Sequence, residues 1–488
     1  MMGKQDNFRK NHASFIFEDL ILSIKSITIF LLIAFANLNK TKFYVIGIIL
    51  LFSLKSIIKW ANTKFLITNN EVLFQTGLIN KRKLEVPFDK INTIDINRNI
   101  IDRIFNISTL KIDTGAVKDL GQEIKIKVKE KDAYSIRNYI NGEVKESINE
   151  TTDSYIQHNS KIFSRTITFK EILIYSVSKS KILWALGGIF FLNDLILNIE
   201  ETFNLSVTNN VVDGIDIEKL FSNGLLKSIL ITSIFLIVIY LLITIIYIIY
   251  EVVRLYDFTI TNDINDIKIK YGLLTIKEYS IPKDKIYAIR YKQNLFQQLF
   301  KIFQIEVVTI GYGDDKNEQA ILFPVANKKF INSTLNLIVP NFKFEGEYNV
   351  PTKNVLSRFI FKRSLILIMF FIIPLYFIIP SNLNIIKIII SIILILYNML
   401  LGYINYKNTS LGVNEKLLVT SSGSIPKVTT LIKQEYLQSV EIKENPFQRR
   451  KGVCDFKLDI YSNKLGDIVL VKNLNKDIFN NIDKNLIL

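Results

Sequence analysis

Residues 76–99 read TGLINKRKLEVPFDKINTIDINRN, and residues 271–294 read YGLLTIKEYSIPKDKIYAIRYKQN. The two align without a gap: Gly77-Leu78-Ile79 on Gly272-Leu273-Leu274, Val86-Pro87 on Ile281-Pro282, Asp89-Lys90-Ile91 on Asp284-Lys285-Ile286, and Asn99 on Asn294. A self-match at a fixed offset means that one structural unit has been repeated, so the fold to explain is that of the unit. A third, weaker copy keeps Gly423 and Asn445 at the same separation. It sets Leu437, Val440 and Ile442 where the first copy has Ile91, Ile94 and Ile96, and it lacks the Asp-Lys-Ile run.

Around these anchors the segments Lys64 to Thr68, Glu71 to Gln75, Asn92 to Ile96, Thr109 to Asp113 and Ile124 to Val128 alternate with a period near two and are rich in Ile, Val, Phe and Thr. That pattern predicts antiparallel strands. Asn69-Asn70 and Gly77 supply turns, because these residues accept left-handed backbone angles at low cost. A helical stretch follows each set of strands, at Asp132 to Ile140, Lys328 to Ile338 and Lys476 to Leu486. Each unit is expected to be a small β-barrel or sandwich closed by one C-terminal helix.

Between the units the chain turns apolar. With 488 residues, 49% of them hydrophobic, and a mean hydropathy of +0.26, it is too apolar for an ordinary soluble enzyme. Runs long enough for a hydrocarbon core of roughly 30 Å lie at Leu20 to Ala36, Phe43 to Ile58, Ile182 to Ile199, Leu225 to Tyr250, Ser364 to Pro380 and Leu383 to Ile404. They come in pairs, which predicts an α+β membrane protein with six transmembrane helices in three hairpins. The expected order is a cytoplasmic N-terminus (1–19), hairpin 1 (20–59), the first sheet domain (60–145) and an amphipathic linker (146–181), whose Phe163 to Val177 part reads as an amphipathic helix against lipid. Hairpin 2 (182–250, external loop 200–224), the second domain (251–345), a linker (346–363), hairpin 3 (364–404) and the third domain (405–488) follow. Lys55, Lys59 and Lys64, then Lys170, Lys179 and Lys181, then Lys353, Arg358, Lys362 and Arg363 flank the spans on one side, which places both termini and all three domains in the cytoplasm. The net charge of +16 suits an anionic lipid surface, and the spans make a nucleic-acid partner the poorer expectation.

The opening Thr63-Lys64-Phe65-Leu66-Ile67-Thr68, Gly77-Leu78-Ile79, Val86-Pro87 with Lys90-Ile91, and Arg98-Asn99 leading to Ile104-Phe105 and Leu110-Lys111-Ile112 resemble the second family of bacterial pleckstrin-homology-like (PH-like) domains. Within it, the chain is similar over nearly its whole length to the long, three-domain YdbT-like membrane proteins. The resemblance implies a seven-stranded fold capped by a helix and tethered beneath the membrane. It also implies partners: the bilayer, a short one-domain relative or a transporter subunit, and bacteriocin peptides, since related pairs occur beside genes for membrane-acting bacteriocins. The third copy departs from the family pattern at Ser424-Ile425-Pro426 and Asn445-Pro446.

One cysteine, Cys454, and two histidines, His12 and His158, leave no disulfide and no credible metal cluster, and no cofactor is expected. Phosphate loops, nucleophile elbows and dinucleotide fingerprints are absent from the sequence, so no catalytic residue is expected. Gly311-Tyr312-Gly313 reads as a turn between strands. Two basic runs, Lys81-Arg82-Lys83 and Arg449-Arg450-Lys451, are candidate membrane-surface or ligand loops, each charge contributing about 1 kcal/mol near anionic lipid. Asp194 and Lys227 form a candidate intramembrane ion pair. Gly77, Gly272 and Gly423 with Asn99, Asn294 and Asn445 are the structural positions of the repeat. The function expected is non-enzymatic: immunity or resistance to membrane-acting bacteriocins, with peptide or lipid export and membrane scaffolding as the alternatives.

Overall fold

The computed structural model describes residues 8–26, 38–77, 80–91, 93–113, 124–140, 163–179, 225–309, 320–378, 384–460, 468–479 and 482. Among the described residues the chain forms three units of seven strands. The first holds β1 (Arg9–Lys10), β2 (Lys64–Ile67), β3 (Glu71–Thr76), β4 (Arg82–Pro87), β5 (Thr93–Arg98), β6 (Ile107–Asp113) and β7 (Ile124–Lys129). The second holds β8 (Phe163–Thr166), β9 (Thr259–Asn262), β10 (Asp266–Tyr271), β11 (Ile276–Pro282), β12 (Ile286–Gln293), β13 (Ile302–Thr309) and β14 (Ala320–Asn327). The third holds β15 (Tyr348–Asn349), β16 (Ser410–Val413), β17 (Leu417–Ser422), β18 (Lys427–Lys433), β19 (Leu437–Lys443), β20 (Val453–Ile460) and β21 (Ile468–Asn475).

Alternation decides which side chains are buried. In β6, Leu110 and Ile112 are fully enclosed, and with Ile124 and Ile126 of β7 they build the first core. Each such aliphatic side chain contributes about 1.5–3 kcal/mol when taken out of water. The helix Glu130–Ile140 closes this core with Ala133 and Ile140, and residues 328–338 do the same in the second unit with Phe330, Leu335 and Ile338. In the third unit Ile478 and Ile482 are buried in the core, while most of the expected closing helix falls outside the described residues.

The units are not separate beads. Each is split four strands to three, and the three-stranded part of one continues into the four-stranded part of the next. The sheets run β1-β2-β3-β4, then β7-β6-β5-β11-β10-β9-β8, then β14-β13-β12-β18-β17-β16-β15, then β19-β20-β21. The β5–β11 junction pairs Arg98 with Ile276 and Ile96 with Glu278, and the β12–β18 junction runs from Ala288–Ile432 to Gln293–Lys427. The cores merge as well: Leu417, Val419 and Leu431 of the third unit pack in the second unit's core, and Ala288 and Val308 pack in the third's.

The first strand of each unit precedes its helices. Residues 163–177, read from sequence as one amphipathic helix against lipid, are instead β8 and the helix Phe169–Ser178. That helix starts at a capping box, Thr168 with Glu171, and buries Ile172 and Tyr175 in the second unit's core.

Six transmembrane helices were expected, and this is corrected. Among the described residues one helix, Lys387–Asn408 (22 residues, mean hydropathy 2.1), is long and apolar enough to cross a membrane. The run Ile182 to Ile199 lies outside the described residues, as does most of Leu20 to Ala36. Ser364 to Pro380 is broken into the end of Leu356–Leu367, a π-helical turn at Ile368–Ile372 and the short helix Ile373–Ile378. Hydropathy counts apolar residues, whereas the length of a helix depends on an unbroken backbone ladder. Pro374 has no N–H to offer the turn before it, and the widened turn directly precedes its helix. The antiparallel, sheet-rich units of the expected fold stand.

Candidate membrane-surface site

The repeated glycines and asparagines mark one end of every unit. Gly77, Gly272 and Gly423 have φ of +100°, +112° and +98°, and a Cβ at each would stand 2.2, 2.0 and 2.2 Å from the carbonyl oxygen of Asn80, Thr275 and Pro426. Only glycine fits such a turn. In each unit this turn lies against the C-terminal end of a long helix. Thr76 Oγ1 is 3.0 Å from Thr63 Oγ1, just past the helix Leu38–Asn62. The Gly272 and Leu273 amides donate to the Tyr256 and Val253 carbonyls at the end of Leu225–Arg254. The Gly423 amide donates to Asn405 Oδ1 at 3.0 Å, and Asn408 Nδ2 donates to the Gly423 carbonyl at 3.1 Å, both on the helix Asn384–Asn408 that holds the membrane-crossing segment.

The asparagines cap three short helices. Asn99, Asn294 and Asn445 accept from the backbone N–H of Asp102, Gln297 and Gln448, whose side chains reach back to the asparagine amides. Buried interactions fix these capping residues. Lys127 Nζ donates to Asp102 Oδ1 at 2.6 Å, and Gln448 Nε2 donates to Asp455 at 2.6 Å and Asn473 at 3.1 Å. Buried polar atoms held in this way set the direction of each short helix.

The short helices present apolar side chains outward. Ile104 is 71% exposed, Leu299 68%, Phe300 69% and Phe447 70%, with Ile100, Phe105 and Leu295 also exposed. Cations flank them at Arg103, Lys301 and Arg449-Arg450-Lys451. Two tips are tied to the glycine turns of the next unit, and the third to the helix Leu356–Leu367. Arg103 donates to the Leu273 carbonyl at 2.5 Å, Gln298 Nε2 to the Ser424 carbonyl at 2.8 Å, and Arg358 Nη2 to Asn445 Oδ1 at 3.1 Å. Exposed apolar groups ringed by basic ones suit the boundary between headgroups and acyl chains.

Among the sequence candidates, Arg449, Arg450 and Lys451 belong to the third tip, where Arg449 pairs with Glu444 at 3.2 Å and Lys451 donates to the Asn354 carbonyl. Lys81, Arg82 and Lys83 open β4 instead, with Lys81 and Lys83 exposed. Of the Asp194–Lys227 pair, Asp194 and the side chain of Lys227 lie outside what the structure describes. The apolar tips themselves were missed by sequence reasoning. The signal for them was an aliphatic or aromatic residue just inside each asparagine cap, where a soluble protein of this kind would carry polar ones.

At the first junction Glu278 accepts from Arg137 at 2.7 Å and from the Tyr134 hydroxyl at 2.9 Å. Burial, with Glu278 beside it, pushes the Tyr134 hydroxyl up to about 12. Burial pushes the Cys454 thiol up to about 11, so it is a poor nucleophile at neutral pH. No group of three metal-ligating side chains occurs among the described residues.

The bacterial PH domain model matches residues 20–144, 221–337 and 366–483. The UPF0699 transmembrane protein YdbT of Bacillus subtilis (strain 168) is 24% identical over 481 residues, which cover 94% of this chain and 93% of that protein. No solved structure matches the chain. Three successive matches over most of its length mean that the chain belongs to the bacterial PH domain family, as a YdbT-like protein with three such domains.

Proposed function

We infer that the protein is a non-enzymatic membrane protein whose three domains lie along the bilayer as one platform, and that this platform protects the envelope, giving immunity or resistance to membrane-acting bacteriocins. The observation that carries the platform is the set of three apolar, basic-flanked tips, two of them hydrogen-bonded to the glycine turns that meet the ends of long helices and the third to Arg358. A surface of that kind gains free energy from lipid at each tip, and the shared sheets keep the tips in step. Its cytoplasmic placement rests on basic residues beside the span: Arg358 and Arg363 bond to Asn473 and Ser424 on the third domain's side of the membrane. The transmembrane relative supports the membrane assignment. The protective role rests on the family resemblance.

The test is deletion of the gene in the native host, followed by challenge with a cationic pore-forming peptide. The expected outcome is a several-fold fall in the inhibitory concentration, restored by the intact gene. Unchanged sensitivity discards the protective role.

A further inference from the structure

The two junctions inside the chain follow one rule. The residue four beyond the turn glycine pairs with the residue just before the capping asparagine: Ile276 with Arg98, and Lys427 with Gln293. The next pairs, Lys277–Asn97 and Val428–Lys292, keep that register. Among the described residues the rule leaves one strand over in the first unit and one in the third. β4, the counterpart of β11 and β18, is the terminal strand of the first sheet, and β19, the counterpart of β5 and β12, is the terminal strand of the last. We propose that β19 of one chain pairs antiparallel with β4 of a second copy, so that the protein assembles head to tail along the membrane.

Carrying the register over sets Lys81 opposite Glu444, Arg82 opposite Lys443, Lys83 opposite Ile442, Leu84 opposite Glu441 and Glu85 opposite Val440. β4 is led by three cations, and at its complement stand Glu441 and Glu444, which also pair with Lys443, Lys457, Arg449 and Lys476 of their own chain, with Lys81 and Glu444 directly across. Arg82 meets Lys443 but has Glu441 on the diagonal of the same face. Charge on these strands is no bar to pairing, because β11 carries Lys277 and Glu278 into a formed junction.

Burial points the same way. At the position eight beyond the glycine, Leu431 inside its junction and Ser280 two residues past the last pair of its own are 6% and 5% exposed, whereas Glu85 is exposed. At the position six before the asparagine, Thr93 and Ala288 are buried and Ser439 is exposed. An exposed strand edge is a template for another chain, and the chain already uses this template twice. Each junction keeps the glycine turns and tips at one end, so a further junction of the same kind leaves every copy facing the same bilayer. The contact is heterologous and closes into a ring or extends as a filament.

The experiment uses the full-length protein in native membranes. Lys81→Cys and Glu444→Cys are placed on two differently tagged chains, co-expressed and mildly oxidised. Buried Cys454 keeps the background low. The expected result is a disulfide-linked pair carrying both tags at twice 56.5 kDa, and a ladder when both changes are on one chain. Lys81→Cys with Ser439→Cys is the off-register control: five residues along the strand is roughly 17 Å, beyond a disulfide's reach. In case either variant misfolds, carbodiimide treatment of mixed isotope-labelled wild-type chains tests for an interchain Lys81–Glu444 link. Absence of both links, or equal linking by the off-register pair, overturns the proposal. So does β4 or β19 linking only to a different protein.

Discussion

Glu278 is the residue on which the first junction turns, because it takes the Arg137 guanidinium and the Tyr134 hydroxyl in a place where its side chain is 14% exposed and that of Arg137 9%. Removing one partner from an enclosed pair leaves the other uncompensated, whereas replacing both with apolar groups is close to neutral. Glu278→Gln is therefore expected to destabilise the protein by about 3 kcal/mol in chemical denaturation, and Arg137→Met with Glu278→Leu to recover most of that loss. Equal loss in the single and double variants would show that the pair does not act as a unit. The same contact sets a pH window. The folded-state value of Tyr134 is raised, so its contribution is complete below about 10 and is lost as pH climbs toward about 12. In Tyr134→Phe this share of the alkaline loss should disappear.

At the level of elements, what could be read locally came out and what depends on distant backbone did not. The turn at Gly77 is legible because it needs one residue type at one backbone angle, whereas Asn99 and Asn294 were marked only by their repeat and their capping role came from the structure. β8 was hidden inside an apparent amphipathic helix, although Thr168 and Glu171 already marked where the helix begins. The π turn before Pro374 was invisible to hydropathy, which is why Ser364 to Pro380 was expected to be one unbroken span. The tips give the element-scale prediction. A polarity-sensitive label on Leu299→Cys or Phe447→Cys, in the full chain reconstituted with brominated phosphatidylglycerol, should be quenched by the lipid. A label on Glu415→Cys, exposed in the turn between β16 and β17 at the far end of the third unit, should not. Equal quenching at all three sites, or none at the tips, would remove lipid as the tips' partner.

At the scale of the whole molecule, the decisive bonds are backbone bonds between strands far apart in the chain. Side-chain alternation tells which face of a strand is buried and says nothing of which strand lies beside it, so the joined sheets were beyond sequence reading. The consequence is energetic coupling between domains that would otherwise unfold independently. Ile432 is fully buried in the third unit's core, and its backbone is paired with Ala288 of the second unit. Ile432→Ala removes buried aliphatic atoms at a cost of roughly 2–5 kcal/mol. If the units were beads on a string, that cost would fall on residues 410–475 alone. Because β12 and β18 share one sheet and Ala288 sits in the third unit's core, amide exchange should accelerate across Ile286–Thr309 of the second unit as well. Lys64–Pro87 of the first unit, two junctions away, should keep its protection. Hydrogen exchange on the reconstituted full chain reads all three regions at once, and acceleration confined to the third unit would mean that the junctions carry no coupling.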